Sequence, residues 1–427
     1  MREVTRPQFY TIRQPFERPV EPDISAAVVR EMKILFPNPE VLSGKTVAVT
    51  AGSRGIANID MVTKCAVDFL IEHGAEPFIV PAMGSHGGGT PEGQTALLDH
   101  YGISEGTMGV PVKASMDTYS PGIVEGVEIH CAQVAWDADI ILPLNRIKAH
   151  TGIKGPLESG ISKILAIGLG KLKGAECYHS PEANIPIAQA IRTGAQWLID
   201  QDKIPGGLSL VENAFHETAI VGAVPRATFF ETEEALLLRS KELLPRLPIP
   251  KIDLLWIKEI GKDISGNGFD TNVINRHPHA HMPGMKWLPE GPQVIYMMCS
   301  QLTEDTEGNA LGLGLFDFST EICAAQVDHY KTQLNALTAF APNAASLPLL
   351  RKNDLDMLEA AMSVLRPRPE GPRIVGIKNT LDCAAAFVTE AVLPMAEEYC
   401  NAEVLEGPYD LQFDSSGQLE WFNSVPV

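Results

Sequence analysis

Two runs typical of strands, each followed by a glycine-containing loop and a helical pattern, constrain the fold of the first third of the chain. The β-branched run Thr46–Thr50 leads into a turn over 51–55, and Phe78–Pro81 leads into a loop over 83–90 before a helix that begins near Pro91. Because continuous apolar runs are typical of buried parallel strands, this order predicts a βαβα unit. Both loops are then expected at the carboxyl edge of the sheet, where open α/β folds bind ligands.

A third buried strand is predicted over Asp139–Leu144, and it leads into a segment of unusual charge. Between residues 146 and 173 there are six basic residues and one acid, Glu158, although the formal net charge of the whole chain is −19. Two histidines, His150 and His179, flank the basic run. Basic groups, exposed amides and imidazoles together favour a small anion, a phosphate group or a metal as the ligand.

The 427 residues are enough for two α/β domains with cores of their own. A proline-rich segment over 244–250 reads as a linker, and a second set of strand and helix patterns follows it. We therefore predict a Rossmann-like cofactor-binding domain over 1–245 that carries the candidate catalytic histidines. A smaller α/β domain over 251–427 is expected to close a cleft that holds the active site.

Composition excludes several classes of protein. The net charge of −19 argues against a nucleic-acid partner, which needs a basic face. No apolar run reaches the length of about 18 residues that a membrane span needs, and the sequence after Met1 lacks the apolar region of a secretory signal. The seven cysteines are scattered and odd in number, which is typical of reduced thiols. These features predict a cytoplasmic protein without a membrane partner; they do not indicate an oligomeric state.

The turn over 51–55 is similar to the glycine turn of short-chain dehydrogenases, in which a dinucleotide pyrophosphate lies on the N-terminus of the next helix. That family also needs a tyrosine followed four residues later by a lysine, and none of the eight tyrosines has this neighbour. A nicotinamide-dependent oxidoreductase therefore stays as an alternative. Arg54 at the tip of the turn indicates an anion in either case.

Three other features are candidates for chemistry. His86 lies between glycines, where an imidazole does not pack a core, so a functional role is favoured. Lys163 has apolar neighbours, and an ammonium there is costly unless it is paired. His277, His279 and His281 have metal-like spacing, but the prolines around them favour a loop.

Taken in order, Arg54, the Gly-x-His loop ending at His86, His150, Lys163 and His179 resemble the nickel-dependent lactate racemase family. The interval of sixteen residues from Lys163 to His179 matches that family's spacing. The resemblance covers about residues 40–200. Its members have two α/β domains and use a nickel-pincer nucleotide, a thio-substituted pyridinium mononucleotide that holds nickel.

The resemblance implies a racemase or epimerase of a 2-hydroxyacid that works by hydride transfer to and from this cofactor. His86 and His150 would be the paired acid/base residues, Lys163 would bond covalently to the cofactor, and His179 would ligate nickel. Arg54 would bind an anion, together with the turn residues Ser53 and Gly55. Two acid/base groups are needed because hydride is returned to the opposite face of the substrate.

The resemblance also implies partners. These are a small-molecule 2-hydroxyacid and the proteins that make the cofactor, and a host without those proteins is expected to give the apoprotein. Ala51 stands where the family has an aspartate, and three more residues lie between His150 and Lys163 than in the lactate enzymes. These differences leave the identity of the acid open. A cofactor-binding relative without catalysis is the second alternative.

Overall fold

The structure is a computed structural model that describes residues 6–53, 55–179, 185–279 and 291–421, with only the backbone described for His179. It has a mixed α/β fold, as predicted, and it contains two compact units. One unit is Arg18–Leu243, and the other combines Met1–Glu17 with Leu244–Val427. The first strand therefore belongs to the same unit as the second half of the chain.

The strands and helices of the described residues are numbered in chain order. The strands are β1 Phe9–Arg13, β2 Thr46–Ala51, β3 Glu76–Pro81, β4 Thr118–Val124, β5 Val127–Ala132, β6 Ile140–Leu142, β7 Leu144–Arg146, β8 Gly206–Glu212, β9 Thr218–Pro225, β10 Lys251–Ile260, β11 Gln293–Leu302, β12 Phe318–Thr320, β13 Leu349–Arg351, β14 Ile374–Ile377, β15 Ala385–Thr389 and β16 Glu403–Tyr409. The helices are α1 Ile24–Leu35, α2 Ile59–Glu72, α3 Pro91–His100, α4 Glu105–Met108, α5 Gln133–Trp136, α6 Ile161–Lys163, α7 Lys171–His179, α8 Ile187–Asp200, α9 Phe229–Glu242, α10 Thr271–Ile274, α11 Glu321–Ala325, α12 His329–Thr338, α13 Asp354–Val364 and α14 Leu393–Cys400.

The unit Arg18–Leu243 is built on a parallel three-stranded sheet in the order β3-β2-β6. Side chains alternate along β2: Val47 and Val49 pack into one core with α1 and α2, whereas Ala48 packs into another with α8 and α9. Both faces of the sheet are thus covered, as parallel sheets require. The covered sheet fixes the carboxyl ends of β2 and β3, from which the two glycine loops leave.

The predicted single strand over Asp139–Leu144 is two strands in two sheets, so this prediction is wrong in that respect. β6 pairs with β2, whereas β7 pairs in parallel with β8 in a separate sheet of order β7-β8-β9. Pro143 lies between them and has no N–H to continue a ladder. The hydroxyl of Thr50 accepts a hydrogen bond from the Leu144 N–H at 2.9 Å and thereby spans the change of sheet.

The other unit contains one eight-stranded sheet in the order β13-β12-β11-β10-β14-β15-β1-β16. Strands β10 to β14 are parallel, and β15, β1 and β16 are added in antiparallel orientation. Its core includes Trp256, which is fully buried, and its indole N–H donates to the Ser300 hydroxyl at 2.8 Å. Among the described residues, no helix combines the length and the apolar character needed to cross a bilayer.

Candidate functional site

The loops that follow β2 and β3 are joined through a side-chain hydrogen bond between the Ser53 hydroxyl and Nδ1 of His86. Ser53 is buried, and its carbonyl accepts a hydrogen bond from the Tyr101 hydroxyl at 3.3 Å. Two predicted site residues from different loops are therefore in direct contact. With Nδ1 bound to Ser53, the opposite nitrogen of the ring, Nε2, points away from this serine.

The backbone of the His86 loop is hydrogen-bonded to the side chain of Gln94 on α3, a residue that no local sequence pattern indicates. The buried Gln94 amide donates to the carbonyls of Gly84 at 2.9 Å and His86 at 3.2 Å. Gly87 has a φ of +65°, and a Cβ at this position would lie 2.7 Å from the backbone nitrogen of Gln94. Only glycine fits such a close approach at positive φ. The loop is therefore a shaped support for the imidazole.

Lys171 completes this support. Its ammonium, which is fully buried, donates to the Gln94 side-chain oxygen at 3.0 Å and to the Pro81 carbonyl at 2.5 Å. Burial lowers the pKa of Lys171 to about 8, because an apolar environment disfavours the charged amine. In the sequence Lys171 was one base of the 146–173 run. In the structure it holds the His86 loop in place and belongs to the interior.

The loop that carries His150 is built around a buried anion. Glu158 accepts the His150 N–H at 2.7 Å, and its carboxylate pairs with Lys241 at 2.7 Å and with Lys154 at 3.6 Å. Lys154 also donates to the His150 carbonyl at 2.6 Å. The one acid of the basic segment is therefore the group around which its first loop folds.

Nδ1 of His150 accepts two backbone hydrogen bonds, from the N–H of Gly152 at 2.9 Å and that of Ile153 at 2.8 Å. A ring nitrogen that accepts carries no proton, so the neutral His150 ring holds its proton on Nε2. In this geometry His150 donates through Nε2. For Nε2 to accept a proton, the ring must first change tautomer. Nδ1 then carries the hydrogen and no longer accepts the N–H groups of Gly152 and Ile153.

Lys163 is half-buried at the end of α6, and its neighbours Ile161 and Ile164 are buried, as the sequence indicates. A π-helical turn over Ile164–Gly168 follows directly, a rare conformation that is often found at functional sites. Gly168 approaches the end of β3 so closely that a Cβ would lie 2.6 Å from the Ala82 carbonyl. Its own carbonyl accepts the Gly84 N–H at 3.1 Å, which ties the turn after Lys163 to the His86 loop.

A buried acid on α9 holds the start of the helix that carries Lys163. The carboxylate of Glu233 accepts the Ser162 N–H at 3.0 Å and also the Ser162 hydroxyl. Burial raises the pKa of Glu233 to about 7, and the two Ser162 donors oppose this shift. Sequence spacing gave no signal for this pair, because 71 positions separate the two residues.

Asn145 on β7 links the remaining parts. Its amide donates to the Gly160 carbonyl at 3.0 Å, just before α6. A Cβ at Gly52 would lie 3.4 Å from the Asn145 side-chain oxygen, so the turn after β2 passes close to β7. The loops after β2 and β3, strand β7 and the segment with Lys163 are thus connected by contacts, although two sheets supply them.

Within the described residues, three bases of the segment 146–173 form ion pairs or hydrogen bonds with other parts of the protein. Arg146 pairs with the half-buried carboxylate of Glu212, whose second oxygen accepts the Ala57 N–H at 2.8 Å. Lys154 pairs with Glu158 and Lys171 lies beneath the His86 loop. Three of the six bases therefore serve the fold, and the local charge does not form one anion-binding surface.

Several predicted site residues cannot be placed. Arg54 and His281 lie outside the described residues, as does the side chain of His179 at the end of α7. Gly55 is exposed. Nδ1 of His277 accepts the His279 N–H at 3.1 Å, and the His279 ring contacts the Ala339 carbonyl at 3.0 Å, which agrees with the loop interpretation of that segment.

Comparisons with known proteins give a distant structural likeness. No protein-family model matches the chain, and no curated protein matches it. Among solved structures it is similar to the lactate racemase apoprotein from Thermoanaerobacterium thermosaccharolyticum, with 13% sequence identity and a TM-score of 0.45 over 87% of this chain and 89% of that chain. Both values are low, so the function is argued from the residues of this chain.

Proposed function

We propose that this protein is a racemase or epimerase of a 2-hydroxyacid and that it uses a nickel-pincer nucleotide. The observation that carries the proposal is the contact between Ser53 and His86, which joins two loops at the carboxyl edge of a parallel sheet. Ligands bind at such edges in open α/β folds. The resemblance in the order and spacing of Arg54, His86, His150, Lys163 and His179 supplies the chemistry.

The donor set fits the cofactor. Lys163 offers an amine that is half-buried beside the buried side chains of Ile161 and Ile164, and an amine in an apolar environment is suited to a covalent bond or an anionic ligand. The π-helical turn after Lys163 is fixed to the His86 loop through Gly84 and Gly168. An anchored group on Lys163 would therefore have a fixed relation to His86. When bound, the nucleotide supplies reversible two-electron chemistry at the carbinol carbon of the substrate.

The residues of the chain handle the proton and the anions. His86, oriented through Nδ1 by Ser53, exchanges the proton of the substrate hydroxyl at Nε2. His150 presents Nε2–H and donates to the substrate oxygen, and it serves as a base only after its Nδ1 has released Gly152 and Ile153. Arg54 would bind a phosphate or the substrate carboxylate, together with its sequence neighbours Ser53 and Gly55, and His179 would hold nickel.

The alternative of a nicotinamide-dependent oxidoreductase gains no support from the turn after β2. The carboxylate of Glu212 accepts the Ala57 N–H two residues before α2 begins. A backbone N–H just before the helix N-terminus is thus already bonded to a protein carboxylate and is not offered to a dinucleotide pyrophosphate.

The test is to produce the full chain together with the cofactor-making proteins and to measure intact mass and nickel content. A mass increment located on Lys163, about one nickel per chain and interconversion of the enantiomers of at least one acid in a 2-hydroxyacid panel are expected. An unmodified, nickel-free chain that binds a nicotinamide dinucleotide would favour the oxidoreductase. Cofactor loading without any turnover across the panel would favour the non-catalytic relative.

Variants separate the roles. His179→Ala is expected to lose nickel, whereas His86→Ala and His150→Ala keep the nickel and lose about 100-fold or more of the racemisation rate. Chiral chromatography of the product measures the rate, and metal analysis of the same sample measures loading. Retention of the wild-type rate in either of the last two variants would overturn the assignment of paired acid/base histidines.

A further inference from the structure

A second group of potential metal ligands lies between β5 and α7, apart from the residues used above. Glu128 and His130 are two positions apart on β5 and so share one face of the strand. Cys177 on α7 lies against them, and its thiol contacts the Glu128 carboxylate at 3.7 Å. The His130 Nε2 lies 3.3 Å from the other oxygen of Glu128. One carboxylate, one imidazole and one thiol thus point at a common centre.

The spacing of the three donors matches a tetrahedral metal site. Zinc bonds to nitrogen, oxygen and sulfur are about 2.0 to 2.3 Å long, which at tetrahedral angles places neighbouring donors roughly 3.3 to 3.8 Å apart. The two oxygens of the Glu128 carboxylate lie at such distances, one at 3.3 Å from the His130 Nε2 and the other at 3.7 Å from the Cys177 sulfur. One ligand atom from each of the three side chains lies within 4.8 Å of the other two. Small rotations of the exposed Glu128 side chain and of Cys177 would bring one carboxylate oxygen, the imidazole nitrogen and the sulfur to tetrahedral spacing around one ion.

The His130 ring is already oriented for this task. Its Nδ1 is hydrogen-bonded to the Thr118 hydroxyl on β4 at 3.0 Å, and the ring is almost completely buried. Metal-binding histidines usually bind a polar partner through their second nitrogen, which fixes the ring and the tautomer. Thr118 is in that position here, and Nε2 is directed at Glu128 and Cys177.

We propose that Glu128, His130 and Cys177 bind a divalent transition-metal ion of the zinc class. Three protein ligands of mixed type leave one tetrahedral position for water or a ligand, and the Glu128 side chain is 52% exposed, so the site is reached from solvent. Nitrogen, sulfur and oxygen donors together suit Zn²⁺, Co²⁺ and Ni²⁺ better than Mg²⁺ or Ca²⁺. The ion would tie α7, whose last residue is His179, to the β4–β5 hairpin.

Cobalt provides a direct test, because a thiolate ligand gives Co²⁺ an intense charge-transfer absorption in the near ultraviolet. The full chain, expressed without the cofactor-making proteins and stripped with a chelator, is titrated with Co²⁺ and then with Zn²⁺ against a chromophoric chelator. We expect one ion per chain, the thiolate band, and displacement of Co²⁺ by Zn²⁺. Cys177→Ser should abolish the band, and His130→Gln and Glu128→Gln should each weaken binding at least about tenfold.

Cys65→Ser is the matched control, because Cys65 is also half-buried and is hydrogen-bonded to a serine, yet lies on α2. It should leave the band and the affinity unchanged. Thermal melts of each metal-free variant show whether the substitution has disturbed folding. A wild-type chain without the band, or a Cys177→Ser chain that retains it, would overturn the proposal and leave only a hydrogen-bonded trio.

The outcome is independent of the proposed racemase, because the protein used carries no nucleotide. It also sharpens the nickel measurement described above. Metal bound at the Cys177 site would add to the one nickel per chain that the nucleotide is expected to bring, and His179→Ala would remove only the nickel of the nucleotide. Cys177→Ser, made in the presence of the cofactor-making proteins, should then retain one nickel and the mass increment on Lys163.

Discussion

The loops that carry His86 and His150 rest on buried charges of opposite sign. The His86 loop is held by Gln94, which in turn binds the buried ammonium of Lys171. The His150 loop is folded around the buried carboxylate of Glu158. Because each loop depends on its own buried ion, a change at one support should leave the other loop intact, and a pH change should affect the two loops differently.

The imidazole rings of His86 and His150 also differ in what their Nδ1 atoms contact. Nδ1 of His86 contacts a side-chain hydroxyl, which can donate or accept, whereas Nδ1 of His150 accepts two backbone N–H groups and has no such choice. Two histidines that look equivalent in the sequence therefore enter the proposed reaction in different ways. His86 is suited to the proton-accepting role at the start, and His150 to the donating role.

The largest effect on stability is expected from Glu158→Ala. The side chain of Glu158 is 1% exposed, and its removal leaves the His150 N–H, Lys154 and Lys241 without their carboxylate. Loss of one partner of a buried ion pair is strongly destabilising, and we expect a decrease of about 3 kcal/mol in the free energy of unfolding. Urea denaturation at neutral pH measures it.

Two controls accompany this variant. Glu158→Gln keeps an acceptor for the His150 N–H and should cost only about 1 kcal/mol. Glu242→Ala removes an exposed pair with Arg239 and should change stability by less than about 0.5 kcal/mol. If Glu158→Ala were as mild as Glu242→Ala, the buried anion would not be the support of the His150 loop.

Lys171 gives the His86 loop a stability that depends on pH. The pKa of Lys171 is lowered to about 8 in the folded chain from 10.5, so above pH 8 the unfolded chain binds more protons at this position. The contribution of Lys171 to stability therefore rises with pH, by about 2 kcal/mol between pH 8 and about pH 9.5. The difference in free energy of unfolding between the wild type and Lys171→Met should follow this rise.

Lys173→Met is the matched control, since Lys173 is on the same helix and exposed. Its difference from the wild type should be flat over the same pH range. A flat difference for Lys171→Met as well would mean that the folded chain binds this proton as firmly as the unfolded chain does, so that burial has not lowered the pKa of Lys171.

The sequence was sufficient for the parts of the fold that depend on local pattern. The βαβα order is predictable because continuous apolar runs and glycine turns determine it locally. The split between β6 and β7 was missed, although Pro143 was visible, because an apolar run does not reveal which sheet a strand joins.

The candidate site shows the same limit. His86 is a candidate from the sequence because a histidine in a glycine-rich loop does not pack a core, and its contact with Ser53 follows from two adjacent parallel strands. Gln94 and Lys171 were not recognised, because a glutamine in a helix and one lysine among six carry no local signal. Their roles depend on tertiary packing. Gln94 bonds to loop carbonyls 8 and 10 positions earlier in the chain, and Lys171 bonds to the Pro81 carbonyl 90 positions earlier.

A smaller effect is expected when the acceptor at position 150 is changed. In His150→Ala the N–H groups of Gly152 and Ile153 lose their acceptor, which should cost about 1 kcal/mol of stability. In His150→Asn the side-chain oxygen takes over the acceptor role, as it does in turns, and stability should return to near the wild-type value. Urea denaturation of the two variants measures the difference.

The same pair tests the catalytic role. If His150 handles a proton in the proposed reaction, His150→Asn restores stability but not racemisation. An active His150→Asn variant would show that the ring is needed only to build the loop, and it would leave His86 as the single acid/base residue of the two.

The smallest change in stability is expected for Ser53→Ala, and it bears most directly on the difference between the two rings. It removes one hydrogen bond to His86 and should cost about 0.5 kcal/mol, since the backbone contacts of the loop through Gln94 persist.

The informative measurement is the protonation of the ring nitrogens, which ¹⁵N chemical shifts of the histidines report. His150 should show its proton on Nε2 in both the wild type and Ser53→Ala. His86 should show its proton on Nδ1 in the wild type, where Ser53 accepts it, and a mixture of tautomers in the variant. If His86 instead carries its proton on Nε2 in the wild type, Ser53 is the donor to Nδ1 and the two histidines have the same tautomer. In that case neither Nε2 can accept a proton until its hydrogen has moved to Nδ1.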